Sequence, residues 1–333
     1  MSEILNLTKK DFTSDQEVRW CPGCGDYSIL ATMQSFLPEM NIKRENIVFI
    51  SGIGCSSRFP YYMETYGMHS IHGRAPAIAT GLATARPDLN VFVITGDGDS
   101  LSIGGNHLIH ALRRNIELKI ILFNNRIYGL TKGQYSPTSE AGKVTKSSPY
   151  GSVETPFNPI SLAIGAEASF VARSIDSDRK HLTEVLRAAT AHKGSALIEI
   201  YQNCPIFNDG AFDSVKEAGI KEEHLLNLID GQPIKSSKYG VVKRGLSFEV
   251  VELSSVPESE LVLHDSHNPD PSYAFALSRL SGASLESVPV GVFRDVERPS
   301  YSAQVHEQLA AASAKGAGDL SALLSAGHTW DVQ

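Results

Sequence analysis

Apolar residues in this chain gather in short unbroken runs, each closed by glycine or a polar turn, and longer stretches at helical spacing lie between them. Asn46 to Ile50, Val91 to Ile94, Lys119 to Phe123 and Ala196 to Ile200 read as buried strands, because a strand covered on both faces loses its polar alternation. The spacing predicts helices from Tyr27 to about Leu37, Ala75 to Ala85, about Gly105 to Arg114, and about Asp178 to His192. Ile29, Leu30, Met33, Phe36 and Leu37 share one side of the first helix, and Asp26 is its expected N-cap. Strands alternating with helices define an α/β class, a parallel sheet flanked by helices.

Beyond Asp209 the pattern weakens. Residues 230–233 and 236–238 read as loop, 261–264 as a strand, and the Ala- and Ser-rich tail from about Tyr301 to His328 has helical spacing. The expected division is therefore 1–225 as the main domain and 226–333 as a C-terminal extension carrying no chemical signature.

Composition narrows the class. With 333 residues, 42% apolar and 20% charged, the chain is expected to be a soluble globular protein with one large domain and a smaller appendage. A net charge of −7 argues against nucleic acid or an anionic membrane as partner, since both need clustered positive charge. Met1 to Asn6 lacks a signal-peptide pattern, and no apolar run approaches a membrane span. Four cysteines without an export signal suit a reducing compartment, the cytoplasm, and metal or redox roles rather than disulfides.

Ligands of open α/β sheets bind outside the carboxyl ends of the strands. Cys55, Asp97, Asn125 and Cys204 each follow the predicted carboxyl end of a different strand, so residues remote in sequence can meet along one rim. In Gly96-Asp97-Gly98 the glycines permit a sharp turn and close approach to a ligand, while Asp97 offers a hard oxygen for Mg2+. Asn125, 29 positions after Gly96, supplies a neutral oxygen from the next strand end. The thiols of Cys21, Cys24, Cys55 and Cys204 could complete either a zinc site or a [4Fe-4S] cluster. One CxxC joined by two distant single cysteines leans toward the cluster.

The Gly96-Asp97-Gly98 and Asn124-Asn125 pair resembles the thiamine diphosphate motif. Together with Trp20-Cys21-Pro22-Gly23-Cys24-Gly25, Gly52-Ile53-Gly54-Cys55, His72-Gly73-Arg74 and Arg126 to Gln134, it makes Trp20 to Gln134 similar to the beta subunit of the 2-oxoacid:ferredoxin oxidoreductases. That resemblance implies the diphosphate-binding fold, with Mg2+ held by Asp97, Asn125 and the carbonyl of Ile127. It sets Gly96, Gly98, Asp99, Gly129, Leu130 and Thr131 against the diphosphate, and Ser56, Ser57, Arg58, His72, Gly73 and Arg74 near the cofactor. It gives all four cysteines to one [4Fe-4S] cluster. His72 is a candidate for proton transfer, with a structural histidine as the alternative. Arg58 is a candidate for the substrate's distal carboxylate, with a surface or diphosphate contact as the alternative. The implied reaction is CoA-dependent oxidative decarboxylation of a 2-oxoacid, 2-oxoglutarate ahead of pyruvate, with electrons passing to ferredoxin. An alpha subunit is expected to supply the glutamate against the pyrimidine ring, in a heterodimer or heterotetramer. The competing readings are a thiamine-dependent decarboxylase or carboligase subunit with structural zinc, and a non-catalytic subunit of the same fold.

Overall fold

The structure is a computed structural model that describes residues 5–245, 247–282 and 285–332. The part of the N-terminal reading that rests on Met1 to Ile4 lies outside the described residues. In chain order the elements are α1 (Asp26–Phe36), β1 (Ile47–Ser51), β2 (Tyr66–His69), α2 (Ala75–Ala85), β3 (Asn90–Gly96), α3 (Asp97–Leu101), α4 (Gly105–Arg113) and β4 (Leu118–Asn124). They continue with α5 (Pro159–Gly165), β5 (Phe170–Ile175), α6 (Arg179–Ala191), β6 (Ala196–Tyr201), α7 (Lys221–His224), β7 (Leu225–Leu228), β8 (Tyr239–Arg244) and β9 (Ser247–Glu252). The last are α8 (Pro271–Ser278), β10 (Val288–Asp295), α9 (Tyr301–Ser313) and α10 (Leu320–Leu324).

Eight strands form one sheet in the order β2-β1-β3-β4-β6-β5-β10-β7, and β8 and β9 form a separate hairpin. Neighbours in the large sheet run parallel, apart from β10 against β5. The two-residue period of a strand separates two cores. Val48, Ile50, Val91, Val93, Ile120 and Leu122 face the core closed by α2, α4, α5 and α8. Ile47, Phe49, Phe92, Ile94, Ile121 and Phe123 face the core closed by α1 and α6. Small residues Ala75, Ala79 and Ala83 bring α2 close to the sheet.

Three details depart from expectation. Asp26 does not cap α1: Gly25 holds the cap position, and Asp26 is buried in the first turn, 1% exposed. The sheet is mixed, because the return strand β10 enters between β5 and β7. Residues 261–264 form no strand of their own; Leu261 and Leu263 make single bridges to Val242 and Pro233. The division expected near residue 225 falls at the first residue of β7, so the chain beyond it continues the sheet. Among the described residues no helix is long and apolar enough to cross a membrane.

Candidate active site

Where β3 ends, Asp97 opens α3 with its side chain 2% exposed. One carboxylate oxygen, Oδ2, accepts from Ser136 Oγ at 2.5 Å and Thr138 Oγ1 at 2.6 Å. Burial raises the Asp97 pKa to about 6, against the pull of these two hydroxyls. A divalent cation would reverse that, since opposite charge favours the ionised form. Thr138 also lies 2.8 Å from Asn124 Oδ1, and Asn124 Nδ2 donates to Glu199 at 2.7 Å. Glu199 in turn pairs with the buried Arg173 at 2.7 Å, which locks the strand ends that carry the site. Asn125 Oδ1 accepts from the Ile127 N–H at 3.2 Å, turning the chain just after β4.

A cleft at this rim is lined by Ile53 to Ser56, His72, Gly96 to Asp99, Asn125 and Ile127 to Thr131. Gly98 is needed there: a Cβ would lie 2.1 Å from the Tyr128 ring. Tyr128 itself donates to the Gly98 carbonyl at 3.1 Å.

Asp99 lines the same cleft, yet protein groups occupy its carboxylate. Oδ1 accepts from Gly73 N at 2.7 Å and Ile53 N at 3.1 Å and bonds His72 Nδ1, while Oδ2 accepts from Thr95 Oγ1 at 2.7 Å. One buried carboxylate thus ties together the loops after β1, β2 and β3. With Nδ1 on Asp99, the His72 Nε2 is left for the cleft. Gly73 touches the backbone of Gly104, and Arg74 Nη1 donates to the Ile103 carbonyl at 3.2 Å. Ser57 is buried, its carbonyl accepting from Ser51 Oγ at 2.7 Å. Thr131 Oγ1 bonds Gln134 Oε1 at the exposed end of the loop.

Two of the thiols meet beside Gly129 of that loop, and Cys55 itself lines the cleft. A Cβ on Gly129 would lie 3.6 Å from both Cys55 Sγ and Cys204 Sγ. Cys24 is close enough to feel the charge of Cys55 and Cys204, and Cys55 that of Cys204 and Cys21. Cys21 is exposed and Cys204 buried. Burial raises the pKa of Cys24, Cys55 and Cys204, with Asp26 adding to it. Asp26 is itself raised to about 7 by burial. Cations at the thiols would bring all these groups toward their charged forms. Among the described residues no three Cys, His, Asp or Glu side chains converge as one metal ion would require. A cluster makes a different demand, because its four thiolates do not share one ion.

Aromatic packing sets this centre. Trp20 Nε1 donates to the Cys55 carbonyl at 2.7 Å, and its ring meets Tyr27 and Tyr62 edge-on at 5.6 and 4.8 Å. Gly25 N donates to the Asn203 carbonyl at 3.1 Å, which joins the CxxC turn to the Cys204 turn. Arg58 sits beside this centre: its charge only partly opposes the burial that raises the Cys55 pKa, and Nη1 donates to the Arg19 carbonyl at 3.1 Å. The sequence reading missed Ser136 and Thr138, and it quoted Asn124 and Tyr128 as parts of motifs without giving either a role in the site. For Ser136 and Thr138 the one available signal is the Ser136-Pro137-Thr138 turn, so soon after Asn125.

A buried aspartate and an amide at adjacent strand ends, beside a glycine-lined cleft, define the diphosphate half of a thiamine enzyme. Residues 52–200 match the family described as thiamine pyrophosphate enzyme, C-terminal TPP binding domain, and the cofactor of this domain is thiamine diphosphate. The chain is 63% identical to 2-oxoglutarate oxidoreductase subunit KorB of Mycobacterium tuberculosis H37Rv, over 97% of this chain and 88% of that protein. It is 47% identical to the 2-oxoacid:ferredoxin oxidoreductase subunit beta of Sulfolobus sp, over 57% of this chain and 63% of that one. Among solved structures it resembles a 2-oxoglutarate:ferredoxin oxidoreductase from Magnetococcus marinus with 2-oxoglutarate, coenzyme A and succinyl-CoA bound. There the TM-score is 0.74 at 34% identity, covering 93% of both chains. The chain belongs to the beta subunits of the 2-oxoacid:ferredoxin oxidoreductases. It is an oxidoreductase subunit, and a beta subunit implies an alpha partner.

Proposed function

We propose that this chain is the catalytic beta subunit of a 2-oxoglutarate:ferredoxin oxidoreductase that forms succinyl-CoA and carbon dioxide and passes electrons through its own [4Fe-4S] cluster to ferredoxin. The observation that carries the reading is Gly129. It lines the cleft with Asp97, Asn125 and Cys55, and a Cβ on it would lie 3.6 Å from both Cys55 Sγ and Cys204 Sγ. A redox centre and a carbon-chemistry centre then meet at Gly129 and Cys55.

Asp97, Asn125 and the Ile127 carbonyl would hold Mg2+, a set that leaves room for diphosphate oxygens and water in an octahedral shell. When bound, thiamine diphosphate supplies the carbanion that adds to the keto carbon and stabilises the electrons left after decarboxylation. The glycines at 96, 98 and 129 let backbone approach the diphosphate. Thr131 and Leu130 border it at the mouth, where Leu130 is 46% exposed. His72, oriented by Asp99, holds or moves a proton at Nε2 facing the cleft. Ser56 lines the cleft, whereas Ser57, Gly73 and Arg74 act from behind it by fixing the loops. Arg58 meets the second carboxylate of the substrate, for which a guanidinium is suited. Cys21, Cys24, Cys55 and Cys204 ligate the cluster. The alpha subunit supplies the glutamate for the pyrimidine ring, and the complex works in the cytoplasm, where thiols stay reduced.

The test is anaerobic co-purification with the alpha chain, followed by iron, sulfide and thiamine assay and a comparison of 2-oxoacids. About four iron atoms per chain are expected, together with ferredoxin reduction that depends on CoA and 2-oxoglutarate. Zinc in place of iron, or activity of this chain alone, refutes the reading. Arg58→Ala should raise KM for 2-oxoglutarate by about tenfold or more while leaving that for pyruvate nearly unchanged. Equal effects on both would remove Arg58 from substrate recognition.

A further inference from the structure

Asn208 lies four residues after Cys204, in the turn Cys204-Pro205-Ile206-Phe207-Asn208, and is 4% exposed. Its backbone N–H donates to the Cys204 carbonyl at 3.0 Å, closing the turn that carries the thiol. Its side-chain Nδ2 donates to the Asn125 carbonyl at 2.9 Å and lies 3.4 Å from that of Arg126. Lys143 Nζ donates to Asn208 Oδ1, so a cation on the oxygen side fixes which end of the amide faces Asn125. Arg126 sits in the left-handed region at φ 56°, which an L-residue occupies only when held there. Asn208 is one of its holders. Ser139 Oγ donates to the Arg126 carbonyl at 2.6 Å, Asn124 Oδ1 accepts from the Arg126 N–H at 3.2 Å, and Glu140 pairs with its guanidinium at 2.9 Å.

We propose that Asn208 is a positioning residue that joins the two centres: one amide fixes the Cys204 turn against the Asn125 loop, setting the thiol centre and the magnesium ligands in a single geometry. The inference rests on the reading of both centres given above. Asn208 touches neither cofactor. It acts through the Asn125 carbonyl on one side and the Cys204 turn on the other.

The experiment uses the anaerobic alpha-beta complex with Mn2+ in place of Mg2+. Mn2+ affinity is read by electron paramagnetic resonance, and iron and sulfide content is measured alongside. Asn208→Asp keeps the shape but turns an acceptor toward the Asn125 carbonyl. Mn2+ affinity should fall about 10- to 100-fold with iron content retained, the loss typical of an outer-shell partner. The signal of the reduced cluster should also shift, which a merely structural role would not produce. Unchanged Mn2+ affinity, or an unchanged cluster signal, overturns the proposal. Should Asn208→Asp fail to assemble, Lys143→Met decides: it frees the amide without removing it, and affinity should fall about two- to tenfold. No change there overturns the proposal as well. An unsubstituted complex that binds neither Mn2+ nor iron sinks the reading of the site itself, and this inference with it.

Discussion

At the scale of single residues, the site turns on one buried carboxylate oxygen, Asp97 Oδ2, which takes hydroxyl donors from Ser136 and Thr138. Thiols are few, and an aspartate between two glycines is distinctive, so Cys21, Cys24, Cys55, Cys204 and Asp97 stood out. Ser136 and Thr138 are common loop hydroxyls. Their role depends on a turn that folds back 39 and 41 positions to one carboxylate oxygen. Thr138→Val removes one of those donors while keeping shape, and should weaken divalent cation binding about 10-fold or more, read by Mn2+ titration of the complex. An unchanged affinity would show that Ser136 alone suffices. Asp99 was read as a neighbour of the diphosphate, yet four protein groups claim its oxygens. Gly52 lies against it, since a Cβ there would sit 1.8 Å from Asp99 Oδ2. Gly52→Ala should therefore displace Asp99 and cost about 1–3 kcal/mol of stability, measurable by denaturant unfolding. Geometry alone is a poor guide elsewhere: Ser169, His192 and Asp295 line up at 2.7 and 2.7 Å like a hydrolytic triad. Ser169 is fully buried at the opposite, amino-terminal end of β5, where no substrate reaches it.

At the scale of elements, β1, β3, β4 and β6 were legible because each is an almost unbroken apolar run, Lys119 and Glu199 apart. β5 and β10 were not. Phe170 to Ile175 is interrupted by Arg173, and Val288 to Asp295 carries Pro289, Gly291 and Arg294. Arg173 tolerates the sheet interior because Glu199 on β6 neutralises it and Tyr201 and Phe293 cover its guanidinium. Removing one partner leaves a buried charge, so Arg173→Met should cost about 3–5 kcal/mol, and adding Glu199→Gln should recover most of it. β2 escaped notice for the opposite reason: all four of its residues are exposed at the sheet edge. β4 also carries a titrating group. Lys119 donates to the His192 and Gly194 carbonyls, and burial lowers its pKa from 10.5 to about 8. Between those values the unfolded chain binds the extra proton, so this group makes stability rise with pH from about 8 to 10.5. The rise should be on the order of 3 kcal/mol and absent in Lys119→Met, read from unfolding at stepped pH.

At the scale of the whole molecule, the chemistry is gathered along one rim while the C-terminal chain braces the far side of the sheet. His306 on α9 bonds the Thr84 carbonyl at the end of α2, and beyond it Leu320, Leu323, Leu324 and Trp330 are all more than 60% exposed. A chain ending at Ala314 should keep the thermal midpoint of the full protein, since residues 315–332 are all exposed. The earlier part of the extension is different. β10 covers β5, and β7 covers β10, so a protein trimmed to the region that carries every motif, residues 1–225, would present β5 as a raw margin of unpaired N–H and C=O groups. Such a fragment would recruit its own copies and precipitate. The smallest piece of this polypeptide able to live alone in solution must therefore reach past Asp295, about 90 residues beyond the last recognisable ligand-bearing turn at Cys204.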